Sequence, residues 1–226
     1  MQIRIIGTGS SGNSFLFNDD LIIDVGLSFK DMKNAIDLKK VKYVLLTHIH
    51  GDHLSLDALR KIVVRYDVKI ICGKFLLQTL LKNGHDRDNI IVVSASKMYK
   101  IGQYKISPVI AYHDVDNFGY RIIQDGYKHF HITDTSTLDG ITAKNYDSAT
   151  IECNHDLQTL LKLVEEAKNN DEFTHLVGAK NSHLSVQQTV KFVKENNIKK
   201  LYPVHIGDST RTEVLKCLSS LTKRTD

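Results

Sequence analysis

The residues best suited to chemistry lie in one run, Thr47-His48-Ile49-His50-Gly51-Asp52-His53, directly after the apolar segment VKYVLL. In an extended segment, residues i, i+2 and i+4 point the same way, so His48, His50 and Asp52 converge and His53 stands beside them at the turn. Three imidazoles and a carboxylate make a nitrogen/oxygen donor set suited to Zn²⁺, Mn²⁺ or Fe. Left unpartnered beside a buried strand, so many polar groups would be costly. The spacing excludes the helical H-E-x-x-H type of zinc site, which needs an i, i+4 histidine pair and a Glu. The whole chain carries eleven His against two Pro and no Trp, which makes histidine the residue to follow.

The elements that must position this run alternate between strand and helix patterns. QIRII, SFLF and LIID read as three strands, followed by a helix from Ser28 to Ile36 and a buried strand VKYVLL. A helix from Ser55 to Tyr66 repeats apolar Ala58, Leu59, Ile62 and Val63 at the 3.6 period. VKIIC, a helix from Lys74 to Lys82 and NIIVV come next. The middle holds strand-like YKISPVIAY, FGYRII and KHFHIT. The last third gives strand SATIEC, helices Asp156 to Asn169 and Val186 to Asn196, strand KKLYPV and helix Thr212 to Leu218. Strands in two groups with helices in both halves predict an α/β protein with two sheets and outer helices, folded as one domain over 1–226.

Composition narrows the class. With 226 residues, 42% hydrophobic and 25% charged, the chain can build a core and is not disordered. It shows no apolar run long enough to span a bilayer and no secretory signal pattern, which predicts a cytoplasmic protein without membrane contact. Cys72, Cys153 and Cys217 are an odd set with no CxxC spacing, so neither a disulfide framework nor a cysteine zinc knuckle is expected. Cys72 and Cys217 read as small buried hydrophobes. A net charge of +4, with lysines scattered, permits an anionic substrate without requiring one. Gly7-Thr8-Gly9-Ser10-Ser11-Gly12 matches the dinucleotide fingerprint G-x-G-x-x-G, but Asn13-Ser14-Phe15-Leu16-Phe17 after it reads as strand where that fingerprint needs a helix. A glycine turn between strands is the expectation, one whose small residues could let a substrate approach the backbone.

The H-x-H-x-D-H run resembles the metallo-β-lactamase fold superfamily over nearly the whole chain. That resemblance implies an αβ/βα four-layer sandwich with two metals at its edge. It also implies further ligands after later strands: His113 after YKISPVIAY, Asp134 after KHFHIT and His205 after KKLYPV. His48, His50 and His113 would hold one metal, Asp52, His53 and His205 the other, and Asp134 would bridge them. Zn²⁺ is the first choice for both ions, with Mn²⁺ as the alternative. His129 and His131 alternate on the strand leading to Asp134 and read as structural, with support around the metal ligands as their best functional role. His155 is either such a support or a substrate contact.

Three segments resemble the RNase Z-like and YycJ (WalJ)-like phosphodiesterase branch: GTGSSGNSFLF with LIIDVG, HDVDNFGYRI with TIECNHD, and Asn181-Ser182-His183-Leu184-Ser185. The resemblance implies that His183 protonates the leaving group, assisted by Glu152, with Asp52 counted among the catalytic groups. It implies a metal-activated water cleaving a phosphodiester of a nucleic acid or nucleotide. Ser185 also reads as the cap of the helix that begins near Val186. The stretch from His113 to Asp134 is filled by strands and leaves no room for the tRNA-gripping arm of RNase Z. A compact site of that kind also suits a cyclic nucleotide, as in virus-encoded relatives that remove a host immune signal. The competing readings are a thioesterase or lactonase of the same fold and a metal-bearing nucleic-acid-binding protein without catalysis. Relatives are often homodimers, but no interface can be read from this sequence.

Overall fold

β-branched and aromatic runs become strands, and each parallel connection is made by a helix whose apolar stripe covers the sheet. The structure is a computed structural model that describes residues 1–170 and 176–222. Its chain forms two units, one of Met1–Ile110 with Val115–Phe118 and one of Ala111–Asp114 with Gly119–Asp226.

In the first unit, β1 (Ile3–Gly7), β2 (Ser14–Phe17) and β3 (Leu21–Ile23) form an antiparallel meander. β4 (Tyr43–Leu45), β5 (Lys69–Gly73) and β6 (Ile90–Val93) extend it in parallel, in the order β1-β2-β3-β4-β5-β6. β2 follows the glycine turn directly, so a strand stands where a dinucleotide site needs a helix. Helices α1 (Phe29–Ala35), α2 (Leu56–Tyr66) and α3 (Lys74–Lys82) make the connections. Ser28 and Ser55 cap α1 and α2, accepting from Asp31 N–H and Ala58 N–H, which places their starts one residue after the serines. The predicted stripe Ala58, Leu59, Ile62 and Val63 is buried. It packs in a core with Ile22, Val44, Ile70 and Cys72. A hairpin, β7 (Tyr99–Ile101) and β8 (Tyr104–Ala111), completes this unit. β7, only three residues long, has no counterpart in the sequence reading.

In the second unit, β9 (Asn117–Gln124) pairs antiparallel with β10 (Tyr127–Ile132). β11 (Ser148–Glu152) and β12 (Leu201–Val204) then add in parallel, giving the order β12-β11-β10-β9. The helices are α4 (Leu157–Asn169), α5 (Leu176–Ser182), α6 (Val186–Glu195) and α7 (Arg211–Thr222). Asp156 caps α4, and Ser185 with Gln188 forms a capping box on α6. α5 contains no buried residue, so it lacked the apolar periodicity that would have announced it. Two sheets with flanking helices confirm the mixed α/β class.

All three cysteines are free. Burial pushes the thiols of Cys72 and Cys153 up to about 12, which fits inert core residues. Cys217 is half-buried, not enclosed as expected, because it sits on the outer helix α7. Among the described residues no helix is long and apolar enough to cross a membrane.

Candidate functional site

In both units the polar clusters sit just beyond the carboxyl ends of parallel strands, where open α/β sheets place their ligand sites. Strand ends there are shaped by unusual backbone: Asp24, Asp134 and His205 all adopt positive φ, +60°, +54° and +50°. Asp and His take that conformation more readily than most non-glycine residues, and it lets the chain turn sharply at these strand ends.

The first unit gathers His48, His50, Asp52 and His53 in the loop after β4. The ring centroids of His48 and His50 are 4.8 Å apart, and those of His48 and His53 4.3 Å. Asp52 Oδ2 lies 3.6 Å from His53 Nε2. Beneath them is Asp24, fully buried after β3. Asp24 Oδ1 accepts from Thr47 N–H (2.8 Å), and its Oδ2 accepts from Thr47 Oγ1 (2.7 Å). The same Oδ2 stands 2.6 Å from His53 Nδ1. With the carboxylate as acceptor, His53 carries its proton on Nδ1 and turns the Nε2 lone pair outward. Thr47 Oγ1, having donated to Asp24, accepts from His48 Nδ1 at 2.9 Å, which assigns His48 the same tautomer. One buried carboxylate thus orients two imidazoles. Burial pushes the Asp24 carboxyl up, against the lowering effect of His53 and Thr47.

The second unit gathers Asp134, Glu152, His183 and His205, Glu152 from the end of β11 and the others from the loops after β10, α5 and β12. One ligand atom from each lies within 4.8 Å of all the others. Glu152 is fully buried and serves as the hub. Its Oε1 accepts from Thr135 N–H (2.7 Å) and Leu184 N–H (3.2 Å). Its Oε2 accepts from His183 Nδ1 at 2.9 Å and approaches His205 Nδ1 at 3.5 Å. Burial raises the Glu152 carboxyl, but the bonds from His183 and His205 outweigh it and hold it below the usual range. His205 Nδ1 is also 3.4 Å from Asp134 Oδ1. His113 packs near His183, ring centroids 5.4 Å apart, with Nδ1 donating to Ser182 O at 3.2 Å.

These are carboxylates and oriented imidazoles, the donor chemistry that divalent transition metals take. His129 bonds Ser148 Oγ (2.7 Å) and Thr150 Oγ1 (3.1 Å) on the neighbouring strand β11 and so braces the sheet. His155 is buried, and its backbone carbonyl accepts from Val186 N–H at 2.8 Å, fastening the segment that follows His183. Asp24 and Asn13 escaped the sequence reading. The one available signal was an aspartate closing the apolar run LIID, a place where a carboxylate needs partners.

A family model described as the beta-lactamase superfamily domain matches residues 21–206. The chain belongs to that family. Solved structures agree on the fold. The metallo-beta-lactamase fold protein YhfI from Bacillus subtilis aligns with TM-score 0.73 at 18% identity, over 95% of this chain and 91% of that one. Human tRNase Z, short form, aligns with TM-score 0.66 at 16% identity, over 92% and 93%. Zn(2+)-bound PqqB from Methylobacterium extorquens aligns with TM-score 0.68 at 11% identity, over 99% and 96%. The chain has the metallo-β-lactamase fold, and in this family that fold implies divalent metal ions.

Proposed function

We propose that this member of the beta-lactamase superfamily is a metal-dependent phosphodiesterase acting on a nucleic acid or nucleotide. Its ligands in this reading are His48, His50 and His113 for one ion, Asp52, His53 and His205 for the other, and Asp134 between them. Zn²⁺ is the ion proposed first, because imidazole-rich sets with carboxylates suit it. When bound, such ions lower the pKa of coordinated water towards neutrality and offset the charge of a phosphoryl group.

The observation that carries the phosphodiester reading is the His183–Glu152 pair, 2.9 Å apart and 3.7 Å from Asp134 at the same nitrogen. Glu152 accepts the hydrogen bond from His183 Nδ1–H and would stabilise the imidazolium, so Nε2 of His183 is the nitrogen placed to give a proton to a departing alkoxide. An alkoxide leaving group needs such an acid, whereas a thiolate leaves without one. Asp24 and Thr47 hold His48 and His53 in the ligating tautomer. The likeness to a tRNase Z agrees with phosphodiester chemistry as far as fold allows.

Strands β9 and β10 occupy the stretch from His113 to Asp134, which favours a compact substrate over one gripped by an arm. A 3′,5′-cyclic nucleotide is the second reading on that ground. The proposal places the protein in the cytoplasm, consistent with three free cysteines. His183→Ala tests it: turnover of a phosphodiester should fall about 10²–10⁴-fold, the usual contribution of a general acid, with metal content unchanged. Loss of metal in that variant would overturn the ligand assignment.

A further inference from the structure

Asn13 closes the glycine turn after β1 and is fully buried. Gly9 N–H donates to its Oδ1 at 2.9 Å, and a peptide N–H can only donate, so the amide orientation is settled and Nδ2 faces the loop after β4. Nδ2 lies 3.1 Å from Asp52 Oδ2 and 2.9 Å from His53 Nε2. It also reaches Gly9 O at 3.1 Å and Asp52 O at 3.3 Å. Asp24 has already fixed the His53 proton on Nδ1, so Nε2 accepts from Asn13. One amide nitrogen therefore draws together a carboxylate oxygen and an imidazole lone pair. The backbone of Asn13 tightens the same junction, N–H to Asp52 O at 2.7 Å and carbonyl from Gly26 N–H at 3.0 Å. Gly26 permits this approach, because a Cβ there would fall 1.8 Å from Asp52 O.

We infer that Asn13 is a positioning residue that prearranges Asp52 and His53 as a ligand pair and so sets the affinity of one metal ion and not of the other. The inference rests on the proposed assignment of Asp52 and His53 to a single ion. Two amide protons serve four acceptors within 3.3 Å, so each bond is shared and is released readily when a cation takes the two ligand atoms. The role is selective: Asn13 touches neither His48 nor His50 among its hydrogen bonds.

The test is zinc competition against a chromophoric chelator for the wild type, Asn13→Ala and Ser11→Ala. Ser11→Ala alters the same turn at an exposed residue and keeps every Asn13 bond. The wild type should take up two zinc equivalents. Asn13→Ala should bind one of them about 10–100-fold more weakly, the usual effect of losing a ligand's supporting partner, with the other unchanged. Ser11→Ala should match the wild type in both affinities. Equal affinities in Asn13→Ala, or the same one-ion loss in Ser11→Ala, overturn the inference. Should Asn13→Ala not fold, the wild type decides. The Asn13 side-chain amide resonances should move with one equivalent only, and resonances unmoved through both equivalents contradict the role. A wild type that takes up no second ion fails at the ligand assignment instead, and the inference falls with it.

Discussion

Asp24 and Glu152 are the same device put to two uses. Each is a fully buried carboxylate at the end of a parallel strand, each accepts from backbone N–H, and each holds a histidine by Nδ1. Asp24 serves His53 directly and His48 through Thr47, both proposed ligands. Glu152 serves His183, the proposed acid, more closely than His205. The electrostatics divide accordingly: burial dominates at Asp24 and raises it, while two imidazoles overcome burial at Glu152 and lower it. A buried carboxylate beside histidines does not by itself define a role. What the histidine does next defines it.

The sharpest way to break this comparison is to remove the first carboxylate. Asp24→Ala leaves Thr47 and His53 without their buried acceptor, and should cost about 3–5 kcal/mol of stability in chemical denaturation of the metal-free protein. The milder Asp24→Asn should weaken zinc binding about 10–100-fold, read by chelator competition. Glu152→Gln should do the reverse. Its amide preserves the two backbone bonds but cannot stabilise an imidazolium, so kcat should drop about 10²-fold or more at unchanged zinc content. If both variants lose metal alike, the division of roles is wrong.

A smaller effect distinguishes histidines outside both clusters. Burial lowers the pKa of His129 well below its ordinary 6.5 and lowers His85 and His155 as well. His129 stays neutral in the folded chain, and all three bind a proton more readily unfolded than folded once the pH falls below about 6.5. Stability is therefore full above that pH and declines on acidification, by about 1.4 kcal/mol per pH unit for each proton bound only on unfolding. Denaturation between pH 8 and 5 should show this slope, flattened by one proton in His129→Leu. The smallest effect belongs to the surface. The exposed Lys199–Asp147 pair, 2.7 Å apart, is screened by solvent, and Lys199→Ala should leave the denaturation midpoint nearly unchanged.

The two clusters also differ in how much of them a sequence can reveal. His48 to His53 lie within one loop; the period of an extended chain accounts for His48 and His50, whereas a turn closed by His53 N–H on His50 O sets Asp52 beside His53 and not with His48 and His50 as predicted. The α2 stripe and the Ser185 cap were legible for the same local reason. His113, Asp134, Glu152, His183 and His205 come from distant elements, and only family resemblance linked them before the fold did. Asn13 was hidden in a turn that glycine content explained without it. Asp24 was hidden at the end of a strand whose apolar run accounted for everything else. β7 and α5 were too short or too exposed to leave a pattern.

The most direct test is turnover by the metal-analysed protein on three substrates side by side: single-stranded DNA with a 5′ phosphate, a panel of 3′,5′-cyclic mononucleotides, and a lactone. Cleavage of DNA or cyclic nucleotide that stops with a chelator, returns with zinc or manganese and leaves the lactone intact is the predicted result. Metal-dependent opening of the lactone with both phosphodiesters untouched would contradict it.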